Sequence, residues 1–343
     1  MQQPVTNEDG EKFSNSKAGS DKVKTSRPPY LTKLLLVIKL LAGVSLLVLS
    51  IQGIQWGNLV TGFRSANLAW LTTAILAVLF GLFLKIWRWA IFVKNYQIRA
   101  SISRLFSAYF VGQAVNILLP LRGGEIVRIG YFVGEPKILP EIMSTVVLEK
   151  YLDLLALAVC IIMVSIKFSL DNILNLRSWL FPLTGLFTIV LLISVLLGPA
   201  IWKKIRGSKL LPKSILAWID KWVEASLWLR NPRKVLPALL LTALIWSVMW
   251  LTNMLLFKSL GMQVDVTAAG LVLTLVYVGL FPALMPGNIG PFYFFARLAL
   301  LPFGVIQNQA FVYAVVLHAI VTLPPLLGGA IGLILRSDRQ GVS

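Results

Sequence analysis

The chain has 343 residues, 57% hydrophobic and only 13% charged, with a formal net charge of +18. Soluble domains carry roughly 25% charged residues, so this composition excludes one and defines a polytopic membrane protein. The cations sit in short segments flanking apolar runs, where they set topology and attract anionic lipid; nucleic-acid binding is therefore not expected.

Residues 1–30 are polar and rich in Ser, Lys and Asn, too poor in apolar side chains for a core, and read as a disordered tail. The first apolar run, Leu34–Ile54, reads as an uncleaved anchor, with Lys33 and Lys39 snorkelling to its N-terminal side. Lys22, Lys24, Arg27 and Lys33 precede it and only Arg64 follows, so the N-terminus is expected in the cytoplasm and the protein in the plasma membrane. A second span, Leu68–Val93, returns to a cytoplasmic loop holding Lys94, Arg99 and Arg104. Trp87 and Trp89 near its end read as an aromatic belt.

After an apolar run at 105–115 comes NILLPLRGGEIVR, from Asn116 to Arg128. Pro120 removes a backbone donor, and Gly123–Gly124 permits conformations that a spanning helix avoids. Arg122, Glu125 and Arg128 recur every three residues and would lie close together on a helix beginning near Gly124. A broken helix with ionisable groups in so apolar a chain is a candidate site, the alternative being an ordinary polar loop.

Met143–Ile166 is apolar except for Glu149, Lys150 and Asp153. Glu149 and Asp153 share one helix face about 6 Å apart along the axis, and Lys150 is placed to pair with Asp153. Either these charges face protein or a watery cavity, or the helix begins near Val147 and they lie at the membrane surface. Trp179–Trp202 is another span. The segment 203–234 is the most cationic, and Ile215, Trp218, Ile219, Trp222 and Val223 share one face, the pattern of an amphipathic helix on the bilayer surface.

If every apolar run so far crossed the bilayer, this basic segment would lie outside. A re-entrant hairpin around 116–124 restores it to the cytoplasm. The second half repeats the theme. Leu236–Phe257 is a span, Ala268–Leu284 is apolar, and FPALMPGNIGPFYFF is then broken by Pro282, Pro286, Gly287, Gly290 and Pro291. Ala310–Leu335 is the last span, with Arg336 and Arg339 expected in the cytoplasm and a short tail over 337–343. The expected fold is an all-α polytopic membrane protein of about six to eight transmembrane helices over 31–336. Two Pro/Gly-broken re-entrant segments would enter from opposite faces as an inverted repeat. Eight full spans are the alternative.

Together these segments resemble the flippase-like transmembrane domain of the lysylphosphatidylglycerol synthase family, from Leu34 to Arg336. One family motif, N-x-x-x-P-x-R-x-G-E-x-x-R, is matched by Asn116, Pro120, Arg122, Gly124, Glu125 and Arg128. A second, V-L-E-(R or K)-x-x-D, is matched by Val147, Leu148, Glu149, Lys150 and Asp153. The third, P-G-G-x-G-x-x-E, is matched only by Pro286, Gly287 and Gly290; Asn288 replaces a glycine and Tyr293 a carboxylate. The resemblance implies movement of a lipid or lipid-linked head group across the membrane. Two-part family members carry a soluble aminoacyl transferase domain after the membrane part; none follows Ser343 here, so aminoacyl transfer is not expected.

The residues themselves suggest a phosphate site. Backbone N–H groups at Gly123 and Gly124 and the planar donors of Arg122 and Arg128 suit phosphate oxygens, with Glu125 orienting an arginine or meeting an amine. The alternative is a self-neutralising Arg–Glu–Arg cluster that pins the hairpin. Glu149, Lys150 and Asp153 would complete the cavity, and Pro286, Gly287, Gly290, Tyr293 and His318 would contribute from the second half. His318 either titrates or hydrogen-bonds a neighbouring helix. Trp218, Trp222, Trp246 and Trp250 read as interface anchors and packing.

Cys160 is the only cysteine and His318 the only histidine, so neither internal disulfides nor a metal site is expected, and no cofactor is implied. No Walker A motif or activated nucleophile is present, so the chain reads as a translocator of an anionic or phosphate-bearing lipid and not as an enzyme. The alternatives are a lipid-modifying enzyme using Glu125, Glu149 and Asp153, or an anchor for a separate glycosyltransferase or other transferase.

Overall fold

The computed structural model describes residues 29–340 except 56, 58–61, 120–122, 136, 168–185, 187–188, 191–192, 195, 207–212 and 283. Pro120, Arg122, nearly all of the expected N-terminal tail and half of the expected 179–202 span lie outside the described residues. The chain divides into residues 1–38 and 39–343, and the packing below lies within the second unit.

Among the described residues the α-helices are α1 (Pro29–Ile51), α2 (Leu68–Asn95), α3 (Ile102–Leu118), α4 (Gly124–Gly130), α5 (Leu139–Lys167) and α6 (Gly198–Ile205). They continue with α7 (Lys213–Leu229), α8 (Pro232–Ser259), α9 (Val266–Gly279), α10 (Pro291–Leu300) and α11 (Gln307–Gln340). No strand occurs among the described residues, as the all-α reading expects. Their starts are written in local chemistry: Asn67, Ser101, Asn231 and Asp265 each cap the first turn of α2, α3, α8 and α9 with a side-chain oxygen.

By length and composition α2, α8 and α11 suffice to cross a membrane. Their outer faces expose Leu76, Phe80, Phe83, Leu240, Leu244, Leu327 and Ile331, a surface suited to acyl chains rather than water. The interior faces of α8, α9, α10 and α11 meet in the largest apolar core, around Leu256, Val272, Ala296, Leu300 and Tyr313.

Two helical hairpins are inserted into this frame. In the first, α4 folds back along α3. Gly112 opposes Gly124 and Arg128, while Arg104 near the start of α3 donates to the Tyr131 carbonyl at 2.8 Å and pairs with Glu135. Both open ends therefore lie together, and this segment returns to its starting side rather than crossing. In the second, Gly279 at the end of α9 faces Phe295 of α10. Its return end is tied beside the end of α8, where Gln309 Nε2 donates to the Leu260 carbonyl at 3.4 Å.

The halves correspond element by element. α3 packs on α4 as α9 packs on α10, and α3 on α11 as α9 on α5; α2 with α3 and α5 mirrors α8 with α9 and α11. The equivalent helices α2 and α8 run antiparallel. Asn67 N–H donates to the Ser259 carbonyl at 2.7 Å at one end, and Arg88 donates to Thr242 Oγ1 at 2.9 Å at the other. Since each hairpin opens beside the C-terminal end of its preceding helix, the two hairpins enter from opposite ends of the pair. That is the inverted repeat expected from the charge distribution.

The second hairpin needs its glycine. Gly290 has φ +91°, and a Cβ there would meet the Gly43 carbonyl oxygen at 2.6 Å. Arg297 of α10, nearly buried, donates to the carbonyls of Ser50 and, at 3.4 Å, Gln52, satisfying acceptors at the end of α1. In the basic segment, α7 is helical as expected and docks Ala225 and Trp228 against Phe92, Leu148 and Leu152.

Candidate functional site

The first hairpin closes where Gly124 meets Gly112 with no room for a side chain. Asn116 Oδ1 accepts from the Gly124 N–H at 2.8 Å, and Asn116 Nδ2 donates to Glu125 Oε1 at 3.2 Å. Asn116 thus satisfies an otherwise orphaned donor at the start of α4 and orients the first motif carboxylate. Gly123 has open space around its Cα.

From α4, Glu125 and Arg128 reach across to α5 and not to each other. Glu125 Oε1 accepts from Lys150 Nζ at 2.7 Å. Arg128 makes a two-pronged bond to Glu149, at 2.8 and 3.3 Å, and its guanidinium lies 4.2 Å from the Trp89 ring and 5.0 Å from that of Tyr109. A bidentate pair gripped between aromatic faces is a rigid joint. Arg128 and Glu149 are only 2% and 3% exposed.

Several expectations are corrected here. Lys150 pairs with Glu125 rather than with Asp153, because the hairpin brings α4 alongside α5 and the shorter, local i,i+3 option loses to it. Arg128 is matched by Glu149, so the self-contained Arg–Glu–Arg cluster within 122–128 does not describe Glu125 and Arg128. Helix α5 starts at Leu139 and not near Val147, which places Glu149 in the buried interior and not at the membrane surface. Trp89 is wholly buried against Arg128, its indole donating to Thr145 Oγ1 at 3.0 Å, whereas Trp87 is exposed as a belt residue is. Trp246 is likewise buried and points its indole N–H at Asp153 Oδ1, 3.4 Å away.

Sequence reasoning missed Arg88. It is fully buried in α2 and links both halves: Nη1 donates to Asp153 at 2.8 Å and to Thr242 of α8 at 2.9 Å, while Nη2 stands 4.0 Å from Glu149. A charge at mid-bilayer costs on the order of 2.5–3.5 kcal/mol on insertion scales, and pairing offsets that cost. Its position inside the apolar run 68–93 was the available signal.

The second hairpin's tip is held differently. His318 of α11 bonds the Gly287 carbonyl through Nε2 at 2.8 Å and the Tyr293 hydroxyl through Nδ1 at 3.1 Å. A carbonyl only accepts, so Nε2 carries the proton and Nδ1 accepts from Tyr293, the neutral tautomer. The imidazole is a strap across the turn formed by Pro286, Gly287 and Asn288, in which both Gly287 and Asn288 adopt positive φ. Tyr293 supplies the hydroxyl for this strap.

Between the hairpin tips lies a cavity of about 250 Å³. Gln113 and Ile117 of α3 meet Asn288 and Phe292 of the second hairpin across it, with Lys85 of α2, Asn253 of α8, Tyr277 of α9 and His318 of α11 completing the wall. Of the described candidate residues only His318 lines it; Asn116, Gly123, Gly124, Glu125, Arg128, Glu149, Lys150, Asp153, Pro286, Gly287, Gly290 and Tyr293 do not. The motif charges build the walls' support, and the open space is one layer away.

Fold and site together define an α-helical membrane protein with an internal inverted repeat and, between its hairpin tips, a cavity lined mostly by apolar side chains with a few polar groups among them. Residues 36–329 match the family model described as the lysylphosphatidylglycerol synthase TM region. The chain belongs to that family. No curated protein matches it.

Proposed function

We propose that the chain moves a lipid head group across the membrane through the cavity between the two hairpin tips. The observation that carries this reading is the meeting, at one head-group-sized cavity, of hairpins that enter from opposite ends of an inverted repeat. Such a pair gives one site two potential exits, which alternating access requires. Uncharged donors and acceptors in the cavity, among them Gln113, Asn253 and Tyr277, suit a hydrated head group, while the apolar outer faces of α2 and α8 suit its acyl chains. The Arg128–Glu149 and Glu125–Lys150 pairs tie the first hairpin to α5, and Arg88 ties α5 to α2 and α8 beside the cavity. The bias of basic residues towards 94–104 and 203–234 supports an orientation with these segments and the N-terminus in the cytoplasm.

The test is head-group translocation in proteoliposomes, with labelled anionic, zwitterionic and neutral lipids and polyprenyl phosphates. Transfer of at least one class faster than in protein-free vesicles is expected. No transfer of any lipid by folded protein would sink the reading and favour an enzyme or an anchor subunit.

A further inference from the structure

The charges around the cavity leave one unmatched. Arg88 with Asp153, Arg128 with Glu149 and Lys150 with Glu125 make three cations against three carboxylates, a neutral set. Lys85, one turn before Arg88 on α2, lines the cavity and is its one lysine or arginine among the described residues. No described carboxylate stands within 4.0 Å of its ammonium. The groups acting on it electrostatically are the phenols of Tyr277 and Tyr109, Asp153 and Arg88, and Asp153 is already held by Arg88 at 2.8 Å. Lys85 is half-buried and forms part of the cavity wall.

An unneutralised ammonium inside a membrane protein is costly unless a partner arrives. Here the partner has room of about 250 Å³, slightly under the roughly 300–1,000 Å³ of drug-sized ligand sites. That space accepts a phosphate with a small polar group attached and leaves acyl chains outside. One cation balances one negative charge; a diphosphate would leave surplus charge in a low-dielectric site. We infer that Lys85 is the anion contact of the cavity and holds the singly charged phosphodiester of a lipid head group, with the neighbouring amide of Gln113 and phenol of Tyr277 as uncharged partners. This deepens the translocation reading and rests on it for the lipid's route into the site.

The experiment measures equilibrium binding to the full chain in neutral detergent, so that it does not depend on transport. Short-chain phosphatidylglycerol, diacylglycerol, a polyprenyl diphosphate and inorganic phosphate are compared on wild type, Lys85→Gln and Lys85→Arg. Wild type should bind phosphatidylglycerol at least about tenfold more tightly than diacylglycerol, and Lys85→Gln should lose about tenfold or more while Lys85→Arg stays within about threefold. Unchanged affinity in Lys85→Gln overturns the assignment. If that variant does not fold, equal binding of diacylglycerol and phosphatidylglycerol by wild type overturns it instead. Tighter binding of the diphosphate overturns the charge match, and inorganic phosphate binding as tightly as the lipid overturns a lipid site in favour of a free-anion site. Binding as expected with no transfer in vesicles leaves the site standing and removes the translocation reading alone.

Discussion

Arg88 and Asp153 are 65 positions apart, on α2 and α5, and their side chains meet at 2.8 Å in the interior. The same guanidinium nitrogen reaches Thr242 of α8 at 2.9 Å, so one side chain joins both halves of the repeat. Asp153, Glu149, Arg128 and Trp89 follow from it in an unbroken chain of contacts back to the first hairpin.

Removing Arg88 strands Asp153 and part of Glu149 without a cation. Arg88→Ala is expected to destabilise by about 3–5 kcal/mol, as breaking a buried pair does, and Arg88→Lys by less. Thermal unfolding in micelles reads this directly; an unchanged melting temperature in Arg88→Ala would contradict the network.

The two adjacent glycines of the first hairpin should behave differently. A Cβ on Gly124 would press on the Gly112 carbonyl, a backbone atom that cannot swing aside, whereas one on Gly123 meets nothing within 4 Å. Gly124→Ala is expected to cost about 1–3 kcal/mol or more, and Gly123→Ala to stay within about 0.5 kcal/mol. Equal effects in the same unfolding assay would argue against the close hairpin.

Antiparallel pairing of the two repeat-equivalent helices is open to cross-linking. A Cβ on Gly81 would lie 3.6 Å from Val248 Cγ1. In a background lacking Cys160, the pair Gly81→Cys and Val248→Cys should therefore oxidise to a disulfide, visible as a mobility shift or by mass spectrometry. The pair Gly81→Cys with Thr242→Cys should not.

At the second hairpin, Tyr293→Phe removes the hydroxyl that bonds His318 Nδ1 at 3.1 Å while keeping the ring. A cost of about 1–3 kcal/mol is expected from leaving that nitrogen unpaired. Tyr293→Glu restores the family's residue type; because Nδ1 carries no proton in the present tautomer, it should bond only after the imidazole gains or shifts one. Nuclear magnetic resonance of the single histidine distinguishes these tautomers.

The motif residues were legible because glycines, prolines and charges are rare inside apolar runs: Asn116, Gly124, Glu125, Arg128, Glu149, Lys150 and Asp153 all fall in one network. The inverted repeat was legible from a conflict between span counting and charge bias. Which cation meets which carboxylate was not, since helical spacing offers Lys150 a neighbour at Asp153 and says nothing of α4 lying alongside. Lys85 and Arg88 escaped notice for a related reason. A cation inside an apolar run is a signal, but one near the run's end is equally placed to snorkel to the surface, and tertiary packing decides that Arg88 is buried and Lys85 lines the cavity.

The most direct measurement is lipid translocation with the cavity filled. Gln113 lines the space between the hairpin tips and lies outside the paired charge network, so Gln113→Trp adds bulk where a head group would pass. Reconstituted wild type is expected to move a labelled phosphodiester lipid between leaflets, and a folded Gln113→Trp variant to fall to the rate of protein-free vesicles. Transfer at the wild-type rate with the cavity filled would contradict passage through it.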